Sequence, residues 1–119
     1  MRYVDGYVLP VPKKNIKTYL RIAKQAGKIW REHGALDYKE CVGDDLNVKC
    51  GVPFGRTLKL KPGETVIFAY IVFKSRTHRD SVNKKVMKDP RLTCSMDPKN
   101  MPFNPKRMVY GGFKVIVDE

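Results

Sequence analysis

The stretch TVIFAYIVF, residues 65–73, decides the fold: it is β-branched and aromatic, with no polar alternation after Thr65. A strand that is apolar on both sides must be covered on both faces, so it lies in the centre of a sheet or under a partner. Val66, Phe68, Tyr70 and Val72 point to one face, and Ile67, Ala69, Ile71 and Phe73 to the other.

Upstream, residues 46–63 are irregular, punctuated by Gly51, Pro53, Gly55, Pro62 and Gly63, with room for an edge piece at Thr57–Leu60. Leu36–Val42 reads as a strand that Gly43-Asp44-Asp45 breaks. Ile16, Tyr19, Leu20, Ala23, Ala26 and Trp30 recur at spacings of three and four, which predicts a helix burying that face. Asn15 or Pro12 marks its start, and Gly34 supplies a left-handed C-cap. Tyr3–Leu9 is the first strand, closed by Pro10 and Pro12 and interrupted by Asp5 and Gly6.

Downstream, Ser75 or Thr77 caps a second helix, with Asp80 three residues after Thr77 as in a capping box. Val82, Val86 and Met87 form its apolar stripe, and Asp89-Pro90 ends it. Residues 91–107 read as loop, with Met96, Met101 and Phe103 available to pack. Met108–Val117 is the last strand, kinked at Gly111-Gly112. The order β-α-β-β-α-β predicts a single α+β domain over residues 1–119, a ferredoxin-like antiparallel sheet with both helices on one face.

The helices can cover only one of the two apolar sets of residues 65–73, so the other set binds something. One occupant is a second copy of the chain, packed sheet to sheet. Another is RNA, since RNA-recognition motifs share this element order. Val66–Phe73 matches the aromatic and small positions of their third-strand motif but lacks its opening basic residue and glycine.

The chain has 24 Lys and Arg against 12 Asp and Glu, a net charge of +12. Lys13, Lys14, Lys17, Arg21, Lys24, Lys28 and Arg31 share the outer helix face, a field that attracts phosphate. Lys17, Arg21, Lys24 and Lys28 are therefore the candidate polyanion contacts, against the alternative of a solvated helix face. At 42% hydrophobic the chain is not disordered, and Val66–Phe73, its longest apolar run, is too short to cross a membrane. The amino terminus, with an acid inside its apolar stretch, does not read as a signal peptide, so the expected location is cytoplasmic. Cys41, Cys50 and Cys94 form no CxxC pair and have no histidine at zinc-ligand spacing; no metal or cofactor is expected. Cys41, in a strand, reads as a small buried hydrophobe.

YVDGYVLPVPKKN (3–15), AGKIWREHGAL (26–36), ECVGDD (40–45), KSRTHRDSVNKKVMKDPRL (74–92) and MPFNPKRMVYGGF (101–113) are long, unusual strings spread over nearly the whole chain. In them the sequence resembles the YbaA-like family of bacterial proteins, whose function is unknown. The resemblance implies a place in the dimeric α+β-barrel superfamily, where two ferredoxin-like protomers pack sheet against sheet. That superfamily includes small monooxygenases, haem-degrading enzymes and stress-response proteins with a cleft between sheet and helices. The monooxygenases' Asn, Trp and His set does not map onto this chain, and no oxygenase activity carries over.

In such a cleft the polar residues come from breaks in apolar elements. Asp5, in mid-strand, is costly to bury unless paired, and Arg79 or Arg107 can pair it. Trp30 and His33 share a helix face, with His33 at a helix C-terminus that favours a cation. Asn83 follows Arg79 by four residues and so lies on the same face. Asp5, Trp30, His33, Arg79 and Asn83 are the candidate contacts for a small anionic or aromatic ligand. The alternative is that Asp5 makes a purely structural ion pair, Trp30 is core and His33 a cap. His78 reads as a solvated surface residue. No Walker loop, HExxH or GxSxG occurs, and catalysis has no signature.

Overall fold

In the computed structural model, which describes residues 1–95 and 101–119 without the side chains at 93–95, the chain runs as follows. β1 is Tyr3–Pro12, α1 Ile16–Glu32, β2 Asp37–Val42, α2 Phe54–Thr57, β3 Glu64–Phe73, α3 Arg76–Met87, α4 Pro90–Ser95 and β4 Val109–Lys114. The sheet order is β2-β3-β1-β4, and every neighbouring pair is antiparallel. This is the ferredoxin-like α+β arrangement. β3 is central as expected, paired with β1 from Glu64 to Phe73 and with β2 from Ile67 to Val72.

β1 runs past its expected end at Leu9 because β3 pairs with it as far as Pro12, opposite Glu64, whereas β4 pairs only with Tyr3–Val8. Beyond Val8 one side of β1 is an edge, where Pro10 and Pro12 lose no ladder bond. Gly34, at φ +117°, closes α1 as expected. Asn15 stands at the N-cap position of that helix but makes no side-chain capping bond; its Nδ2 donates to the Pro102 carbonyl at 3.0 Å. α3 is capped by Ser75, whose Oγ accepts from the His78 amide at 3.1 Å, and not by a Thr77–Asp80 box. His78 is half-buried rather than solvated: its Nδ1 accepts from the Lys74 amide at 3.0 Å, and its ring meets Phe73 edge-on.

Two stretches expected as irregular or extended are helical. Phe54–Thr57 winds into a turn with Pro53 before it, in place of an edge piece at Thr57–Leu60. Asp89-Pro90 ends one helix and opens the next, with the Asp89 carboxylate accepting from the Arg91 amide at 3.0 Å and Pro90 in the first position. Met96 lies outside the described residues. Phe103 packs edge-on against Tyr19, ring centroids 5.7 Å apart.

Side-chain alternation puts Leu9, Val11, Ile67, Ala69, Ile71 and Phe73 under the helices. They form two clusters. Ile71 and Phe73 pack with Ile29, Val82, Val86 and Leu92, and Leu9, Val11, Ile67 and Ala69 pack with Tyr19 and Ala23. Leu20 and Met87, expected in the core, are exposed, and Ile29 takes the inward place on α1. The buried arc of α1 is centred on Tyr19, Ala23 and Ile29, which leaves Leu20 at its margin beside β2.

The other face of the sheet is covered by neither α1 nor α3. Of the described helices only the short α2 reaches it, at one end, where Phe54 meets Phe68 edge-on with ring centroids 6.5 Å apart and Val66 is buried. Val4, Val8, Phe68, Tyr70, Val72, Val109 and Phe113 lie there, with Phe68 44% and Phe113 61% exposed. Cys41, opposite Phe68, is on this face and exposed, not buried. The edge strand's alternation decides this, because Tyr38 and Glu40 take the inward positions.

Gly27 lies where α1 crosses Tyr38: a Cβ there would stand 2.8 Å from the Tyr38 ring. Gly27→Ala is expected to lower Tm even though alanine favours a helix by about 1 kcal/mol, because overpacking costs about 1–3 kcal/mol. Thermal unfolding by circular dichroism checks this; an equal or higher Tm would show that Tyr38 has room to move.

Candidate functional site

On the helix side, β1 presents Tyr3, Asp5 and Tyr7 in alternation. Asp5 is 3% exposed, opposite Ile71 on one side and Gly112 on the other. α3 crosses above it, and the i, i+4 pair Arg79 and Asn83 reaches down. Arg79 Nη1 donates to Asp5 Oδ1 at 3.1 Å, and Asn83 Nδ2 donates to Oδ2 at 3.3 Å. Asn83 Oδ1 in turn accepts from Trp30 Nε1 at 3.0 Å, which joins α1 to the group. Four of the five sequence candidates therefore form one connected set.

The Arg79 guanidinium sits over the Tyr3 ring, 4.9 Å from its centroid. Tyr3 reaches that position over Gly112, where any Cβ would collide with its hydroxyl. Arg79 Nε stands 2.9 Å from Asp80 Oδ1, within ion-pair range but without hydrogen-bond geometry. Burial pushes the Asp5 carboxyl above its ordinary range, and the Asn83 hydrogen bond and Arg79 charge oppose that shift without cancelling it.

A second carboxylate lies further along the same side. Glu40 accepts from the Tyr19 hydroxyl at 2.7 Å and from the Tyr38 hydroxyl at 2.6 Å. Tyr38 packs against Trp30 with ring centroids 6.1 Å apart, so the Glu40 and Asp5 groups adjoin. Burial, then the Glu40 charge, pushes both phenols well above their usual range. Tyr7 is held protonated in the same way, by burial and then by Asp5, and stacks on Tyr110 at 5.7 Å. Glu40, Tyr7, Tyr19 and Tyr38 were missed as site residues; the signal was an acid at an inward position of a period-two strand.

His33 does not join this set. Its Nε2 lies 2.8 Å from Asp89 Oδ2, and Arg91 bridges Asp89 to Glu32 at 2.9 and 2.7 Å. Arg91, then His33, hold the Asp89 carboxyl well below the usual carboxylate range. Arg107, the other cation considered for Asp5, pairs with Glu64 at 2.6 Å and donates to the Leu58 and Lys59 carbonyls. Lys17, Arg21, Lys24 and Lys28 are exposed along α1 and make no ion pair with any described residue. A groove of about 740 Å³ runs between α1 and β2, with Lys24, Lys28 and Tyr38 in its lining. No group of three His, Cys, Asp or Glu placed to hold a metal ion occurs among the described residues. No helix among them is long and apolar enough to cross a membrane.

Residues 2–105 match a family described as a protein of unknown function, DUF1428. Over all 119 residues the chain is 39% identical to the uncharacterized protein YbaA of Escherichia coli strain K12, with each sequence covered completely. It is equally similar to YbaA of Shigella flexneri, at 39% over the same full length. The crystal structure of an uncharacterized NIPSNAP domain protein from Burkholderia xenovorans superposes with a TM-score of 0.57 at 10% identity, covering 98% of this chain and 99% of that one. At that identity the likeness is one of fold.

Because its pKa is raised on folding, Asp5 binds its proton more tightly in the folded chain. It therefore favours folding as pH falls and counts against it as pH rises through the raised value. Arg79→Ala takes away the opposing cation and is expected to cost on the order of 3 kcal/mol near pH 7. The loss should shrink towards pH 4, where a neutral carboxyl needs no cation. Urea unfolding of both proteins at several pH values checks this; a loss independent of pH would contradict it.

Proposed function

The chain belongs to the DUF1428 family of proteins of unknown function, and from that premise we propose that it is a homodimer, packed sheet to sheet, with a small-molecule binding site at Asp5, Arg79, Asn83 and Trp30. The ligand is a small anionic or aromatic molecule, and no catalytic step is assigned. The observation that carries the site is Asp5, a carboxyl group buried inside a sheet and bonded to one cation and one amide. Such a group costs stability, and a costly polar group in a core is where function is expected. Arg79, partly exposed beside Asp80, offers its outer edge to an anion, and the Tyr3 ring beneath it and the exposed Tyr110 offer flat apolar walls.

The open sheet face supports the dimer. Four strands at about 4.8 Å spacing and six paired residues at about 3.3 Å rise make a face of roughly 400 Å². The face is on the scale of the largest apolar patch on a soluble domain, and patches of that scale are often functional. Its centre is Val4, Val8, Phe68 and Val72, and Lys39 and Asp37 of β2 stand at its margin, the apolar centre and polar rim of a protein interface. A second reading, polyanion binding, rests on the unpaired row Lys17, Arg21, Lys24 and Lys28. If those four meet phosphates, affinity should fall about a hundredfold between 50 and 200 mM salt.

Phe68→Lys with Phe113→Lys puts charge on the open face at exposed positions and should convert a dimer into a folded monomer in sedimentation velocity. An unchanged dimer would place the interface elsewhere. In thermal-shift assays with aromatic and aliphatic carboxylates and phosphates, a stabilising ligand should lose its effect with Arg79→Lys. If no compound shifts Tm, or the shift survives that substitution, the binding site falls.

A further inference from the structure

The groove between α1 and β2 has an apolar floor and a cationic rim. Ala23, Gly27 and the Tyr38 ring form the floor, with the 51% exposed Leu20 at one end. The acids in its lining are already engaged: Asp37 pairs with Lys39, and Glu40 accepts from two tyrosine hydroxyls. Lys24 and Lys28, one helical turn apart on the rim, make no ion pair with any described residue. One wall is β2, the edge of the sheet, whose outer backbone groups pair with no strand among the described residues. A groove between a helix and a sheet edge accepts an extended peptide, which adds as a strand while its alternate side chains enter the groove.

The chain carries a segment with the complementary chemistry. After β4 it continues as Val115-Ile116-Val117-Asp118-Glu119, with Ile116 80% and Val117 70% exposed, two apolar residues followed by two acids. The segment cannot reach the groove of its own chain. β4 and β2 are opposite edges of the sheet, three strand spacings or about 14 Å apart. The Val115 amide is tied to the Arg2 carbonyl at 3.0 Å. The four residues beyond it span at most about 14 Å, which leaves nothing for the rise onto the helix layer.

We infer that residues 116–119 of one copy dock in the α1–β2 groove of a second copy, with Ile116 and Val117 over the apolar floor and Asp118 and Glu119 against Lys24 and Lys28. The contact rests on the homodimer proposed above and adds an exchanged arm to it. It also gives Lys24 and Lys28 a partner other than a nucleic acid.

A charge-reversal cycle tests the arm, read as the dimer dissociation constant from sedimentation equilibrium at low salt. Lys24→Glu with Lys28→Glu, or Asp118→Lys with Glu119→Lys, should each weaken the dimer by about tenfold or more, and all four changes together should restore it. All these side chains are at the surface, so folding is not at stake. In a variant lacking residues 116–119, an added VIVDE peptide should shift backbone amide resonances at residues 20–28 and 37–42. A dimer indifferent to both reversals, together with a peptide that shifts none of those amides, would overturn the arm and leave the sheet-to-sheet dimer standing. A chain monomeric at all concentrations would overturn both. Reversals that weaken the dimer without rescue in the combined variant would also overturn it, since they would reflect net charge and not pairing.

Discussion

The structure depends on covering a strand that is apolar on both faces. β3 cannot sit at an edge or face water, so it takes β1 and β2 as neighbours and α1 and α3 as a roof. The roof accounts for one face only. Ile67, Ala69, Ile71 and Phe73 are buried beneath it, whereas Phe68 on the other side remains 44% exposed. Much of what is unusual in the molecule lies on that uncovered side or at its margins: Phe113 and Val109 in β4, the exposed Cys41, and the apolar residues beyond Lys114.

The covered side is not uniformly apolar either. Two hydrophobic clusters flank a polar and aromatic strip that runs from Arg79 through Asp5, Asn83 and Trp30 to Tyr38, Glu40 and Tyr19. Tyr7 touches both clusters and feels both carboxylates. The strip ties α1 and α3 to β1 and β2 through directional bonds, which fixes helix placement more tightly than apolar contact alone. Each carboxylate is satisfied differently, Asp5 by a cation and an amide, Glu40 by two phenols. That difference is why Asp5 is the more economical place to look for a ligand: its cation reaches the surface, while the hydroxyls on Glu40 are held inside.

Much of the architecture was legible because period-two and period-3.6 patterns are dictated by which faces must be buried. The apolar run at 65–73 placed the central strand, an acid inside the first strand pointed to Arg79 or Arg107, and the four-residue spacing from Arg79 brought in Asn83. The misses have local causes. Pro90 reads as a stop signal, but a proline is also a good first residue of a helix when an aspartate precedes it. Cys41 was read from residue type, when the alternation of Tyr38 and Glu40 already placed it on the other face. Glu40 was passed over because a lone acid in an edge strand looks solvated until Tyr19 and Tyr38 are brought to it. His33 was drawn to Asp89 by an ion-pair network whose partners lie far away in the sequence.

The central claim is that a second copy covers the open face, and the chain carries its own reporter of this. Cys41 and Cys50 are both exposed in the single chain, but only Cys41 pairs with Phe68 on that face. The measurement is the rate at which each thiol reacts with a small maleimide, followed by peptide mass spectrometry and normalised to its rate in the unfolded chain. In the folded protein Cys41 should react about tenfold or more slowly than Cys50, since thiol reactivity follows access. Equal normalised rates would mean that the face is open to solvent, and would contradict the account.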